Sequence, residues 1–184
     1  VTTQRHRYDY LRSIITGVQT VSGMLAGTMT HDEGYEFLRL GRNLERADMT
    51  TRIIDVRSAS LLPDMSEDLS PFENLQWVSV LKSLTAYQMY RRQVRQRIRR
   101  QDVLKFLFQE EHFPRSFYHA LCQANSCLNN LPRSKKTLKL LAKLQKHLLD
   151  AKLEEFDQGK LHKFIDELQL GIIKINDSID ETYF

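Results

Sequence analysis

The chain has 184 residues, 41% of them hydrophobic, and carries 27 Lys and Arg against 23 Asp and Glu, a formal charge of +4. That is enough apolar material for one sizeable core and fits a single domain over the whole length, and so mild a basic excess does not by itself call for nucleic acid. No run of about 18 apolar residues and no basic-then-apolar leader occurs, so neither a membrane span nor a secretion signal is expected and the expected location is the cytoplasm.

With 7 Gly, 4 Pro and no alternating strand pattern, the class is all-α. The first helix is expected from Gln4 to Leu25, where Leu11, Ile14, Ile15, Val18 and Val21 recur at helical spacing and Gly23 and Gly27 mark the end. Because the sequence opens on Val1 and enters this pattern almost at once, it reads as a fragment of a longer chain. In "THDEGYEF", Thr30 lies three residues before Glu33, the spacing at which two side chains satisfy each other's free amides in a first helical turn. A second helix is therefore expected from His31 to Ala59.

"LLPDMSEDLS" reads as a polar linker that closes on "SPFE", with Ser70 as cap, Pro71 in the first turn and Glu73 reaching back. A third helix then runs from Pro71 to Arg99, followed by the shorter "DVLKFLFQ". Pro114 suits the first turn of the next helix, within "HFPRSFYHALCQANSCLNNL", which Pro132 ends. Two further helices, "SKKTLKLLAKLQKHLLDAKLEEF" and "LHKFIDELQLGIIKINDSIDETYF", are separated by the turn around Gly159. Five or six long helices with short loops imply an antiparallel bundle.

The stretch "GRNLERADMTTRIID" packs six charges into a helix with two apolar strips. At helical spacing Phe37, Leu40, Leu44, Ala47, Thr51 and Ile54 share one side, while Leu38, Met49, Ile53 and Val56 lie roughly opposite, which predicts a packing partner on each. Arg39, Arg42 and Arg46 then fall along one seam, with Glu45, Asp48, Arg52 and Asp55 along the other. On the structural reading these side chains form ion pairs with one another, Asp48 reaching Arg52 across one turn. On the functional reading Arg42, Glu45, Arg46, Asp48 and Arg52 line a groove for a charged ligand or partner chain. A general acid needs an apolar pocket or a like charge, and the surrounding arginines argue against one.

Other candidates are weaker. "YRRQVRQRIRR" holds six arginines from Arg91 to Arg100, but on one helix Arg91, Arg92 and Arg95 fall on several sides, so nucleic acid is not expected and Tyr87 and Tyr90 read as packing residues. The six histidines are scattered without a two-ligand helical spacing, and Glu110, Glu111 and His112 spread around a helix end, so no metal is expected. No phosphate loop or nucleophile elbow occurs and no cofactor is expected. Cys122 and Cys127 cannot bridge locally and read as reduced thiols. In "HFPRS", Arg115 and Ser116 are expected in a first turn whose free amides suit an anion.

"TMTHDEGYEFLRLGRNLERADMTTRIIDV", "WVSVLKSLTAYQMYRR", "FLFQEEHFPRS" and "LHKFIDELQ", in that order, resemble the bacterial Alpha-E domain, an all-helical domain named for its Glu-Arg motif. The resemblance covers essentially the whole chain and places the motif on Glu45 and Arg46, with Arg42 and Asp48 beside them. It also implies an earlier copy of the pattern in an N-terminal section that this chain lacks. The company such domains keep implies a partner, an ATP-grasp ligase-like or transglutaminase-like protein, in systems that make or modify peptide amide bonds. The expectation is thus an accessory module that is not itself an enzyme. The alternative is an enzyme subunit whose arginines, Arg115 included, grip a peptide carboxylate or acyl-phosphate.

Overall fold

The computed structural model describes residues 2–59 and 70–184, with no strand among them. The helices are α1 (Thr2–Thr28), α2 (Glu33–Ala59), α3 (Ser70–Ser83), α4 (Tyr87–Gln93), α5 (Arg100–Gln109), α6 (Phe117–Asn129), α7 (Lys135–Leu149) and α8 (Gln158–Tyr183). The linker 61–69 and the side chains of Ser70, Pro71 and Glu73 lie outside the described residues. Two compact units result, Val1–Tyr35 and Glu36–Phe184.

The first unit holds α1 and the start of α2. Gly23 and Gly27 lie inside α1 instead of ending it, since one glycine costs a helix only about 1 kcal/mol. Asp32, not Thr30, caps α2: its carboxylate accepts from the Tyr35 amide at 3.1 Å, so the helix starts two residues later than the Thr30–Glu33 spacing predicts.

The second unit buries the core. Trp77, Tyr90, Phe108 and Phe117 are fully enclosed, and the Phe108 and Phe164 rings meet edge to face at 5.7 Å. α7 packs most extensively on α8, then α6 on α7. Gly171 permits the first contact, because a Cβ there would stand 2.5 Å from Leu144 Cδ1.

The single helix expected from Pro71 to Arg99 is two. Thr85 takes a left-handed φ of 52° and breaks the run between α3 and α4, and residues 94–99 are not helical. Neither Gly nor Pro announces this break; it places Tyr90 in the core against Phe106. α7 also ends earlier than its apolar pattern predicts. The Gln109 amide donates to the Leu148 carbonyl at 2.9 Å and the Ala151 carbonyl at 3.1 Å, supplying the terminal carbonyls with a partner, and only a short 3-10 turn, Leu153–Glu155, follows. Asp157 then caps α8, accepting from the Lys160 amide, which puts Gly159 in the first turn of α8.

Candidate functional site

One face of α2 is read correctly from its spacing: Leu40, Leu44, Ala47, Thr51 and Ile54 are all buried. The opposite strip is mostly not: Leu38, Met49 and Val56 are 49%, 40% and 68% exposed, while Ile53 is half-buried and packs against the core. The charges between the strips consequently divide into groups with different surroundings.

Near the start of α2, Glu36 is buried. The Arg39 guanidinium donates to both its oxygens at 3.2 Å, the Asn130 amide donates to one at 3.2 Å, and Arg39 continues to Gln123 at 3.1 Å. Burial and this carboxylate push the Cys127 thiol, which donates to Glu36, up to about 12. α2 is thereby tied to α6. Sequence reasoning missed Glu36, Gln123 and Asn130. One signal was present: Glu36 lies one helical turn before Leu40, on the buried side of the wheel.

Farther along, Asp48 and Arg52 pair at 2.6 Å, as their spacing predicts, and Asp48 first and Glu45 last among the attractions raise the Arg52 pKa. Buried Thr51 accepts from Gln169 of α8 at 3.2 Å. Asp55 pairs with His162 of α8 at 2.7 Å. These contacts tether α2 to α8.

Between the two tethers lie Arg42, Glu45 and Arg46. Arg46 is half-buried and donates to the Pro114 carbonyl at 3.3 Å, while Thr50 donates to the neighbouring Arg115 carbonyl at 3.1 Å. The 113–116 turn therefore runs along α2. It is fixed from behind by Ser116, whose hydroxyl donates to the Glu110 carbonyl and accepts from the His119 amide. Ser116 is the cap of α6, so Pro114 and Arg115 precede the helix instead of forming its first turn as expected. Burial lowers the Arg46 pKa first, and the charges of Arg42 and then Arg115 lower it further.

Three guanidinium groups thus share one patch, with Arg42 and Arg115 exposed. Among the described residues, no carboxylate pairs with any of the three. Exposed Glu45 forms no ion pair with any described residue and acts on Arg52 at longer range. Asp48 and Arg52 answer each other. The patch repels itself and suits a carboxylate or phosphate, which guanidinium binds through two parallel donors.

The chain matches the Alpha-E family, described as a predicted alpha-helical domain with a conserved ER motif, over residues 1–184. It belongs to the Alpha-E family. No curated protein and no solved structure gives a significant match. In this Alpha-E chain the one Glu-Arg dipeptide is Glu45–Arg46, and the fold treats its members differently: Glu45 stands in solvent, while Arg46 leans on the Pro114 turn.

The other candidates resolve as follows. The arginine run is not one helical surface; it crosses the end of α4, the irregular 94–99 segment and the start of α5, and Arg91 donates to the Gln96 carbonyl at 2.9 Å. Among the described residues no three His, Cys, Asp or Glu side chains come close enough to hold a metal ion. No described helix is long and apolar enough to cross a membrane. Both cysteines are free.

Proposed function

We propose that this Alpha-E domain is a non-catalytic interaction module, and that Arg42, Arg46 and Arg115 receive an acidic group of a partner protein. One observation carries the reading: half-buried Arg46 is disfavoured by its burial and then by two neighbouring cations, and among the described residues no carboxylate pairs with it. A partner's carboxylate would relieve that repulsion. Glu45, exposed on the adjoining seam of the same helix, would then exclude a second acidic group and accept a basic one, so that the motif reads a charge pattern rather than a single ion.

The resemblance implies the partner class, an ATP-grasp ligase-like or transglutaminase-like protein of a bacterial peptide amide-bond system, and the ligase-like protein is the proposed partner. The test is affinity capture of that protein by the tagged domain from its native cells, repeated with Arg46→Gln/Arg115→Gln. Recovery with the native domain and loss with the variant, at unchanged helicity, is the expected result. Equal recovery by both would remove the patch from the interface.

A second reading rests on the same cations: the domain is an enzyme subunit that grips a peptide carboxylate or acyl-phosphate. It predicts that inorganic phosphate or a short peptide raises the melting temperature of the isolated domain. The variant would abolish that rise.

A further inference from the structure

A lone helix has no core of its own, so an apolar stripe along it calls for a partner. In α1, Leu11, Ile14, Val18, Val21 and Leu25 follow one another at alternating steps of three and four residues, the spacing of a seam between paired helices. Ile15 and Met24 widen the seam. None of these side chains belongs to the buried core. Leu25 is half-buried, the others run from 44% exposed at Ile14 to 61% at Val18, and Tyr8 and Tyr10 are similarly open. Together these side chains offer an area on the order of the ~800 Å² that each partner contributes to a stable interface.

The chemistry of the stripe selects its occupant. The seam carries no charge from Leu11 to Leu25 and is therefore self-complementary, as a two-fold contact between identical surfaces must be. Asp9, Arg12, Thr16 and Thr20 lie on the opposite side of the helical wheel. Arg7 continues the seam at one end, and the last turn at the other end has no basic residue. Parallel copies would set Arg7 against Arg7. Antiparallel copies crossing at Val18 set Arg7 beside the partner helix's carbonyl end, where unpaired oxygens and the negative end of the dipole favour a cation. Leu11 then meets Leu25.

We propose that α1 is a homodimerisation element, pairing antiparallel with α1 of a second copy about Val18. The inference does not depend on the arginine patch. Light scattering on the full 184-residue chain should give twice the 21.7 kDa chain mass. Val18→Asp should return it to the single mass, and Val18→Leu should keep the dimer. Fluorescence of Trp77, enclosed in the second unit, checks that the core is intact in each.

Orientation is read by mixing Leu11→Cys and Leu25→Cys chains under mild oxidation, with the parent chain as the blank for Cys122 and Cys127. A crosslink strongest in the mixture supports the antiparallel pair. Crosslinks as strong in each variant alone overturn it in favour of a parallel one. A single mass up to high micromolar concentration overturns the dimer, whether the stripe is then covered by its own chain or by another protein. A dimer that survives Val18→Asp also overturns it.

Discussion

Glu36 and Arg39 near the start of α2 and Arg42, Glu45 and Arg46 one to two turns later are the same kinds of residue on the same helix, yet their surroundings differ. The first pair is enclosed by Gln123, Cys127 and Asn130, and the Glu36 carboxylate is shared among several donors. The later group meets a backbone carbonyl, other cations and solvent. A buried charge with a full set of partners fixes how two helices meet, and removing either member leaves the rest uncompensated. Like charges left beside one another repel, and in this group the bond from Arg46 to the Pro114 carbonyl works against that repulsion.

The comparison is broken most directly at its buried end. Glu36→Ala should cost about 3 kcal/mol, measured by urea unfolding, because it removes the carboxylate that accepts from both Arg39 and Asn130. The same change should speed Cys127 alkylation on the order of tenfold or more, since each 1.4 kcal/mol of easier opening is a factor of ten. A loss below about 1 kcal/mol with unchanged alkylation would show that the two groups do not differ as described.

Arg46→Gln should alter stability by no more than about 1 kcal/mol, because the lost bond to the Pro114 carbonyl is offset by relief from Arg42 and Arg115. Its effect should appear in partner capture. Glu45→Gln is smaller still, within about 0.5 kcal/mol, as for an exposed side chain with no ion pair among the described residues. If Glu45→Gln unfolds the domain, the motif is structural and the division of α2 is wrong.

The finest test concerns the tether to α8. Asp55 first, and then Asp166, raise the His162 pKa above its ordinary 6.5. A raised histidine favours the folded state while it is protonated. Its contribution is fully present below about 6.5, the unfolded value, and fades as pH rises through the higher folded one. The melting temperature should therefore decline slightly over that window in the native chain, and Asp55→Asn should flatten the decline.

The helical class, the bundle and the buried face of α2 were legible because 3.6-residue periodicity and long apolar stripes report burial directly. The Asp48–Arg52 pair was legible because it is local. The break at Thr85 was not, since "SLTAYQ" holds neither Gly nor Pro and the chain turns there in order to bury Tyr90. Glu36 escaped notice for a related reason: its partner Asn130 is 94 residues away. The sequence also suggested that Arg115 joins Arg42 and Arg46 in one groove. Arg42 and Arg115 each lie within electrostatic reach of Arg46, and the Thr50 and Arg46 bonds to the 114–115 backbone hold Arg115 beside α2.

Thr85 bears on how the protein can change. A β-branched residue in the left-handed region is disfavoured by about 1–2 kcal/mol, a penalty glycine does not meet. Thr85→Gly should accordingly raise the unfolding midpoint, an uncommon direction for a substitution in a folded domain. The chain thus has headroom at a position away from the arginine patch. A variant carrying that change could absorb destabilising substitutions around Arg42, Arg46 and Arg115 and remain folded, which makes it the natural parent for substitutions in the patch.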